Sequence, residues 1–223
     1  VQGAAHGAAS AAAPHGRGGS PRAEVGQGLL RLRREGEPYV GDEALDARKA
    51  AVWSIIAGAA HLAVVAVGHV GYPYVYDALI AVGYGLMLPA VAVLHPRHGR
   101  VRESGTILAT IAGTATVIVG LGGSVNVDLQ PAALFVLGMW WWTIGKLWAE
   151  TGILPRELGR TTAALGALAL AGGLFASVSI GVSVVRPDFP DIAVWTIAQG
   201  VLGVWLVILG ATLSRAAPDV PSR

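Results

Sequence analysis

Residues 50–70 read AAVWSIIAGAAHLAVVAVGHV. The stretch contains no Asp, Glu, Lys or Arg, and its few polar side chains are Ser54, His61 and His69. A helix that is apolar on nearly every side belongs in a membrane or in the centre of a large protein. Its length decides between the two, because a helix rising about 1.5 Å per residue needs roughly 20 apolar residues to cross a hydrocarbon core about 30 Å thick.

The same pattern recurs in residues 74–94, 106–123, 131–148, 162–185 and 192–213, the third window being short but uncharged. Pro73, Pro96, Pro131, Pro155, Pro187 and Pro190 fall at window edges, where proline starts or ends a helix. Pro89 alone lies inside a window, so the second helix is expected to kink there. The sequence therefore predicts an all-α fold, a polytopic membrane bundle of six transmembrane helices.

Composition agrees. Of 223 residues, 53% are hydrophobic and 13% charged, whereas a soluble domain carries about 25% charged residues. The mean hydropathy is +0.57. This excludes both an ordinary cytosolic enzyme and a disordered chain. The absence of cysteine excludes disulfides, thiolate metal sites, iron–sulfur clusters and thiol catalysis. A net charge of +2 is too small to point to nucleic acid as a partner. Abundant Ala, Gly and Arg with only two lysines, Lys49 and Lys146, suggests a GC-rich bacterial genome.

The basic residues orient the bundle. Fifteen of sixteen fall in the N-terminal segment, the second and fourth connections and the C-terminal end, which an even number of spans places on one side. Arg186 stands alone opposite, beside Asp188 and Asp191. Cytoplasmic loops carry the Lys/Arg excess, so both termini are expected in the cytoplasm and the protein in a bacterial cytoplasmic (inner) membrane. Residues 1–46 read as a low-complexity cytoplasmic tail, 47–215 as the six-helix domain and 216–223 as a short C-terminal tail. Within the first tail, LLRLRRE can form a basic turn on an anionic membrane surface or a solvated linker. Asp42 and Asp46 suit the start of the first helix.

Spans associate through small residues. Ala112, Thr116, Gly120 and Ser124 form one such stripe, and Ala169, Gly173, Ser177 and Gly181 another. VLGMWWWTIG in the fourth span parallels VLGVWLVILG in the sixth, suggesting three stacked hairpins of consecutive spans. Tyr72, Tyr74, Tyr76 and Trp195 are placed at the outer boundary, and Trp53 and Trp148 at the inner one, as an aromatic belt.

Polar side chains at membrane depth are the candidate functional residues. Counting from the outer helix ends puts His61, Tyr84, Thr116, Trp140, Ser177 and Gln199 in one layer. Of these, His61, Tyr84, Trp140, Ser177 and Gln199 are the candidate ligand-binding residues. The layer either binds a small ligand or fixes the packing by interhelical hydrogen bonds. Because successive helical residues point about 100° apart, Trp140, Trp141 and Trp142 cannot share a face. His69 and Asp77 can pair at the first outer loop. His95 and His98, with Glu103 or Glu150, fit no zinc spacing, and two histidines at matching depth for a haem are lacking. Lys146 sits in the last turn of its span, where a lysine reaches the headgroups. No nucleotide loop, metalloprotease helix or serine elbow is present.

The segment WWWTIGKLWAETGILPRELG, with Gly152, Leu154, Pro155, Arg156, Leu158 and Gly159 in its turn, resembles a pattern in uncharacterised small six-helix bacterial membrane proteins, as does the ending GVWLVILGATLSR. The resemblance covers the C-terminal half and implies a six-helix bundle without a known activity. With no catalytic constellation and no cofactor implied, the leading expectation is a non-enzymatic scaffold, accessory subunit or lipid/small-ligand binder. Its expected partners are membrane lipid and a membrane-protein partner or second copy. A small-solute or proton-coupled transporter is the alternative, followed by a lipid-directed enzyme using His95, His98 and Glu103.

Overall fold

The computed structural model describes residues 40–68, 73–183 and 191–216. The proposed His69–Asp77 pair, Tyr72, Arg186, Pro187, Pro190 and most of both tails lie outside the described residues. The described chain is helical, with no strand among its residues. The helices are α1 (Val40–Val67), α2 (Pro73–Gly85), α3 (Leu88–Gly99), α4 (Glu103–Val125), α5 (Gln130–Thr151), α6 (Arg156–Ser183) and α7 (Asp191–Ala216), with a 3-10 turn at Val127–Leu129 before α5.

Each apolar window extends at its ends through polar residues. The first helix already runs from Val40, so Asp46 lies within it and does not cap it. The second window is two helices. Pro89 enters the first turn of α3, and the chain turns at Leu86 and Met87 just before it, with Met87 N–H donating to the Tyr84 carbonyl at 3.1 Å. Proline cannot donate the next helical bond and disfavours a helical residue before it, so the expected kink is a break. Pro96, expected at a helix end, lies inside α3, which continues to Gly99.

Among the described residues, five segments are long and apolar enough to cross a membrane: Leu45–Val67, Tyr74–Gly99, Glu103–Val125, Arg156–Val178 and Val194–Arg215. The fourth expected span, in α5, is not among them. At 22 residues α5 is long enough, but four amphipathic indoles (Trp140, Trp141, Trp142, Trp148) and the charges of Lys146 and Glu150 lower its hydropathy. The helix packs against α4 and α6 and buries Trp140, Trp141 and Trp148.

The closest helix pairs are α5 with α6 and α1 with α7, not three consecutive hairpins. Both pairs are antiparallel and meet at glycines. A Cβ on Gly138 would lie 2.5 Å from the Leu170 nitrogen, and one on Gly159 2.5 Å from the Ala149 nitrogen. A Cβ on Gly203 would lie 2.8 Å from the Gly58 oxygen, and one on Gly210 2.6 Å from the Ala51 oxygen. Such gaps leave no room for any side chain, so the backbones touch. The repeated VLG motifs thus do the same work twice: Gly138 and Gly145 seat α5 on α6, and Gly203 and Gly210 seat α7 on α1. In α6 the contacting glycines are Gly159, Gly166 and Gly173, seven residues apart. The expected stripe coincides with this seam at Gly173 and leaves it at Ser177, which is exposed.

The α5–α6 turn explains its own sequence. Gly152 adopts φ 71° and donates its N–H to the Trp148 carbonyl at 2.9 Å, the left-handed cap that glycine makes without strain. Leu154 is buried, and α6 begins at Arg156. Two expected belt residues are instead interior, since Trp148 and Trp195 are buried, whereas Tyr74 and Trp53 are exposed.

Candidate functional site

His61 projects from α1, Tyr84 from the end of α2 and Gln199 from α7. All three are buried. The Nδ1 of His61 lies 2.6 Å from Gln199 Oε1. An amide oxygen only accepts, so Nδ1 carries the donated proton. Gln199 Nε2 in turn donates to the Tyr84 hydroxyl at 3.3 Å. The His61 and Tyr84 rings meet edge to face with centroids 4.9 Å apart. One glutamine therefore joins three helices through both ends of its amide.

The other ring nitrogen, His61 Nε2, has no hydrogen-bond partner. It faces the backbone of Gly83, where an added Cβ would fall 2.8 Å from it. An unpaired buried acceptor costs about 1–3 kcal/mol, and the glycine allows α2 to close over the ring. Tyr84 is closed in from its other side by Gly120 of α4, whose missing side chain makes the space for the phenol ring.

The remaining candidates stand apart from this trio. Thr116 is buried, but its hydroxyl donates to the Ala112 carbonyl of its own helix at 2.8 Å. Ser177 is exposed on α6 and likewise bonds back to Gly173. Trp140 is buried at a different level. It packs on Gly113, whereas Tyr84 packs on Gly120 of the same helix, and seven helical residues separate levels by about 10 Å.

At that second level the aromatic residues form a cluster. Trp205 of α7 lies 5.4 Å from both Trp140 and Trp141 and stacks on Trp148 at 6.3 Å with the planes 7° apart. Trp148 Nε1 donates to His98 Nε2 at 2.7 Å, and Trp205 Nε1 donates to Thr162 at 2.9 Å. His98 is buried. His95 instead meets Thr110 at 2.7 Å. A cavity of about 10 Å3 lies between them, lined by His95, His98, Thr110 and Trp140, close to the minimum for one water molecule. Trp142, the outward member of the triplet, is exposed beneath Lys146, whose Nζ is 5.5 Å from the ring. Among the described residues no group of three or more His, Asp or Glu side chains is placed to hold a metal.

No family model, no curated protein and no solved structure matches the chain.

The sequence missed three partners. Gly83 carries no polar atom in its side chain and gives no signal of its own. Thr162–Trp205 links helices that are adjacent in sequence but packed mainly on other partners. His98–Trp148 was accessible, because both residues fall at the same end of neighbouring windows.

Proposed function

We propose that the chain is a six-span integral membrane protein of a bacterial cytoplasmic membrane. In this reading both termini are cytoplasmic and the protein is a non-enzymatic scaffold, accessory subunit or lipid/small-ligand binder. Apolar helices long enough to cross a bilayer support the membrane setting. The antiparallel α1–α7 pair puts the start of α1 and the end of α7 at one end of the bundle, in keeping with an even number of spans. The observation that carries the non-transporting reading is the enclosure of His61. Its ring has 0% exposure, held by Gln199 and closed over by Gly83 and Tyr84. A proton or solute path needs a polar vestibule reaching the ring. Tight contacts on each side of it instead suit a hydrogen-bonded pin that fastens three helices. The resemblance of the C-terminal half to uncharacterised small six-helix bacterial membrane proteins is in keeping with the six-span architecture and implies no activity.

Two measurements test the proposal. Reporter fusions at Arg100 and Arg160 should read cytoplasmic, and fusions at Val127 and Pro187 external. A cytoplasmic reading at Pro187 refutes the assignment of the last two spans. Proteoliposomes loaded with a pH-sensitive dye should show no proton flux above empty liposomes. A flux abolished by His61→Ala in a folded protein would restore the transporter.

A further inference from the structure

The hydrogen-bond directions around His95 and His98 fix where each neutral ring carries its proton. Trp148 Nε1 donates to His98 Nε2 at 2.7 Å, and an indole nitrogen only donates. His98 Nε2 therefore holds the lone pair, and the proton of the neutral ring is on Nδ1. Thr110 gives its single hydroxyl proton to the Thr106 carbonyl at 2.9 Å. Its oxygen can then only accept from His95 Nδ1, 2.7 Å away. Neutral His95 thus also carries its proton on Nδ1 and keeps a lone pair on Nε2. His98, which is 1% exposed, is left with a ring donor, and His95 with a ring acceptor. Both histidines line the cavity of about 10 Å3 between α3, α4 and α5. The Trp140 indole, a further N–H donor, is part of the same wall, and Ala109 and Ile144 add apolar surface.

We propose that this cavity is a binding site for one water molecule, which accepts the Nδ1–H of His98 and donates to Nε2 of His95. Size and chemistry select the ligand together. The space is close to the least that admits a single water, and a buried water needs at least two polar partners. His98 has no lone pair to offer a metal ion, because the one it holds already accepts from Trp148. An anion would meet the lone pair of His95, which repels it. With the water in place, every link points the same way. The line runs from the Trp148 N–H through His98, the water, His95 and Thr110 to the Thr106 carbonyl, and it joins α5, α3 and α4. Bonds aligned in this way polarise and strengthen one another. The line begins at an indole N–H and ends at a peptide carbonyl, neither of which is an acid or a base near neutral pH. It fastens helices and carries no proton through the bundle.

Solid-state nuclear magnetic resonance on the full chain in phosphatidylcholine bilayers tests this. The histidine rings carry nitrogen-15, and the pH is set to about 8, above the imidazole range. The signals of His95 and His98 are assigned by their loss in His95→Gln and His98→Gln. Both rings are expected to be neutral with the proton on Nδ1. Magnetisation should pass from water to His98 Nδ1, although that ring is buried from the bulk. Ala109→Val fills the cavity and alters no hydrogen-bonding group. It should abolish the transfer to His98 and leave the proton on Nδ1, since Trp148 still occupies Nε2. A His98 proton on Nε2, a charged His98 ring, or no transfer from water in the unaltered chain overturns the site, and these readings do not depend on any variant folding. A transfer that survives in Ala109→Val overturns it as well, by showing that the water reaches His98 from elsewhere.

Discussion

Gly172 and Gly173 are neighbours in the middle of α6, yet replacing each by alanine should have opposite effects. Alanine is favoured over glycine in a helix by roughly 0.5–1 kcal/mol, and both variants gain that amount. At Gly172 the new Cβ meets only Leu134 Cδ2, at 3.4 Å, an ordinary contact with a flexible side chain. At Gly173 it would lie 2.7 Å from the Phe135 nitrogen, 2.9 Å from its Cα and 3.0 Å from its Cβ. The first two belong to the α5 backbone and the Cβ is fixed to it, so none can turn aside. The helices must separate locally by about 0.7 Å to restore contact near 3.4 Å, and Gly138, Gly145, Gly159 and Gly166 hold the same seam. Overpacking of this kind costs about 1–3 kcal/mol. Because the propensity gain cancels, the difference between the variants isolates the steric cost. Gly172→Ala should be neutral or slightly stabilising, and Gly173→Ala less stable than it by about 1–3 kcal/mol. Unfolding in mixed micelles of rising dodecyl sulfate content, followed by tryptophan fluorescence, measures both. If Gly173→Ala resists unfolding as well as Gly172→Ala, the α5–α6 seam is not closed by backbone contact.

Two further predictions concern the buried polar groups. Trp148→Phe keeps most of the ring but leaves the buried His98 Nε2 without its donor, so we expect a loss of about 1–3 kcal/mol in the same unfolding assay; an unchanged midpoint would mean that water replaces the indole. Gly83→Ala pushes a methyl group to 2.8 Å from His61 Nε2, whereas Gly85→Ala meets nothing within 4 Å. Gly83→Ala should therefore be the more damaging, and its effect should shrink in a His61→Ala background, a non-additivity expected of touching residues. Additive losses would show that His61 does not fill the space beside Gly83.

Hydrophobic run length, proline position and residue spacing are local properties, and they were readable along the chain. The first helix, observed over Val40–Val67, and the disturbance of the second window at Pro89 follow from backbone chemistry within a few residues, although the kink expected there is a break. The depth count placed His61, Tyr84 and Gln199 at one level, and the structure joins these three by hydrogen bonds. The same count put Trp140 and Ser177 with them, and there it went astray. Depth says how far along a helix a residue lies but not which way it faces, and it drifts when windows are judged by hydropathy and helices run on through polar ends.

By itself, the sequence determined that the chain is helical, apolar enough for a bilayer and disturbed at Pro89, but not that α3 runs on through Pro96. Each of these depends on what a residue can bond to within one turn or on its preference for water. Which helices touch was decided only by the tertiary structure. The α1–α7 pair joins segments at opposite ends of the described chain, and the seams of α5 with α6 depend on glycines separated by a turn that could have led elsewhere. Helix pairing in an apolar surround is chosen by how closely two backbones can approach, a matter of shape that no single helix carries. The fate of His61 was settled at the same level: Gln199 and Gly83 reach it from other helices, and they turn a costly polar ring into an enclosed fastening.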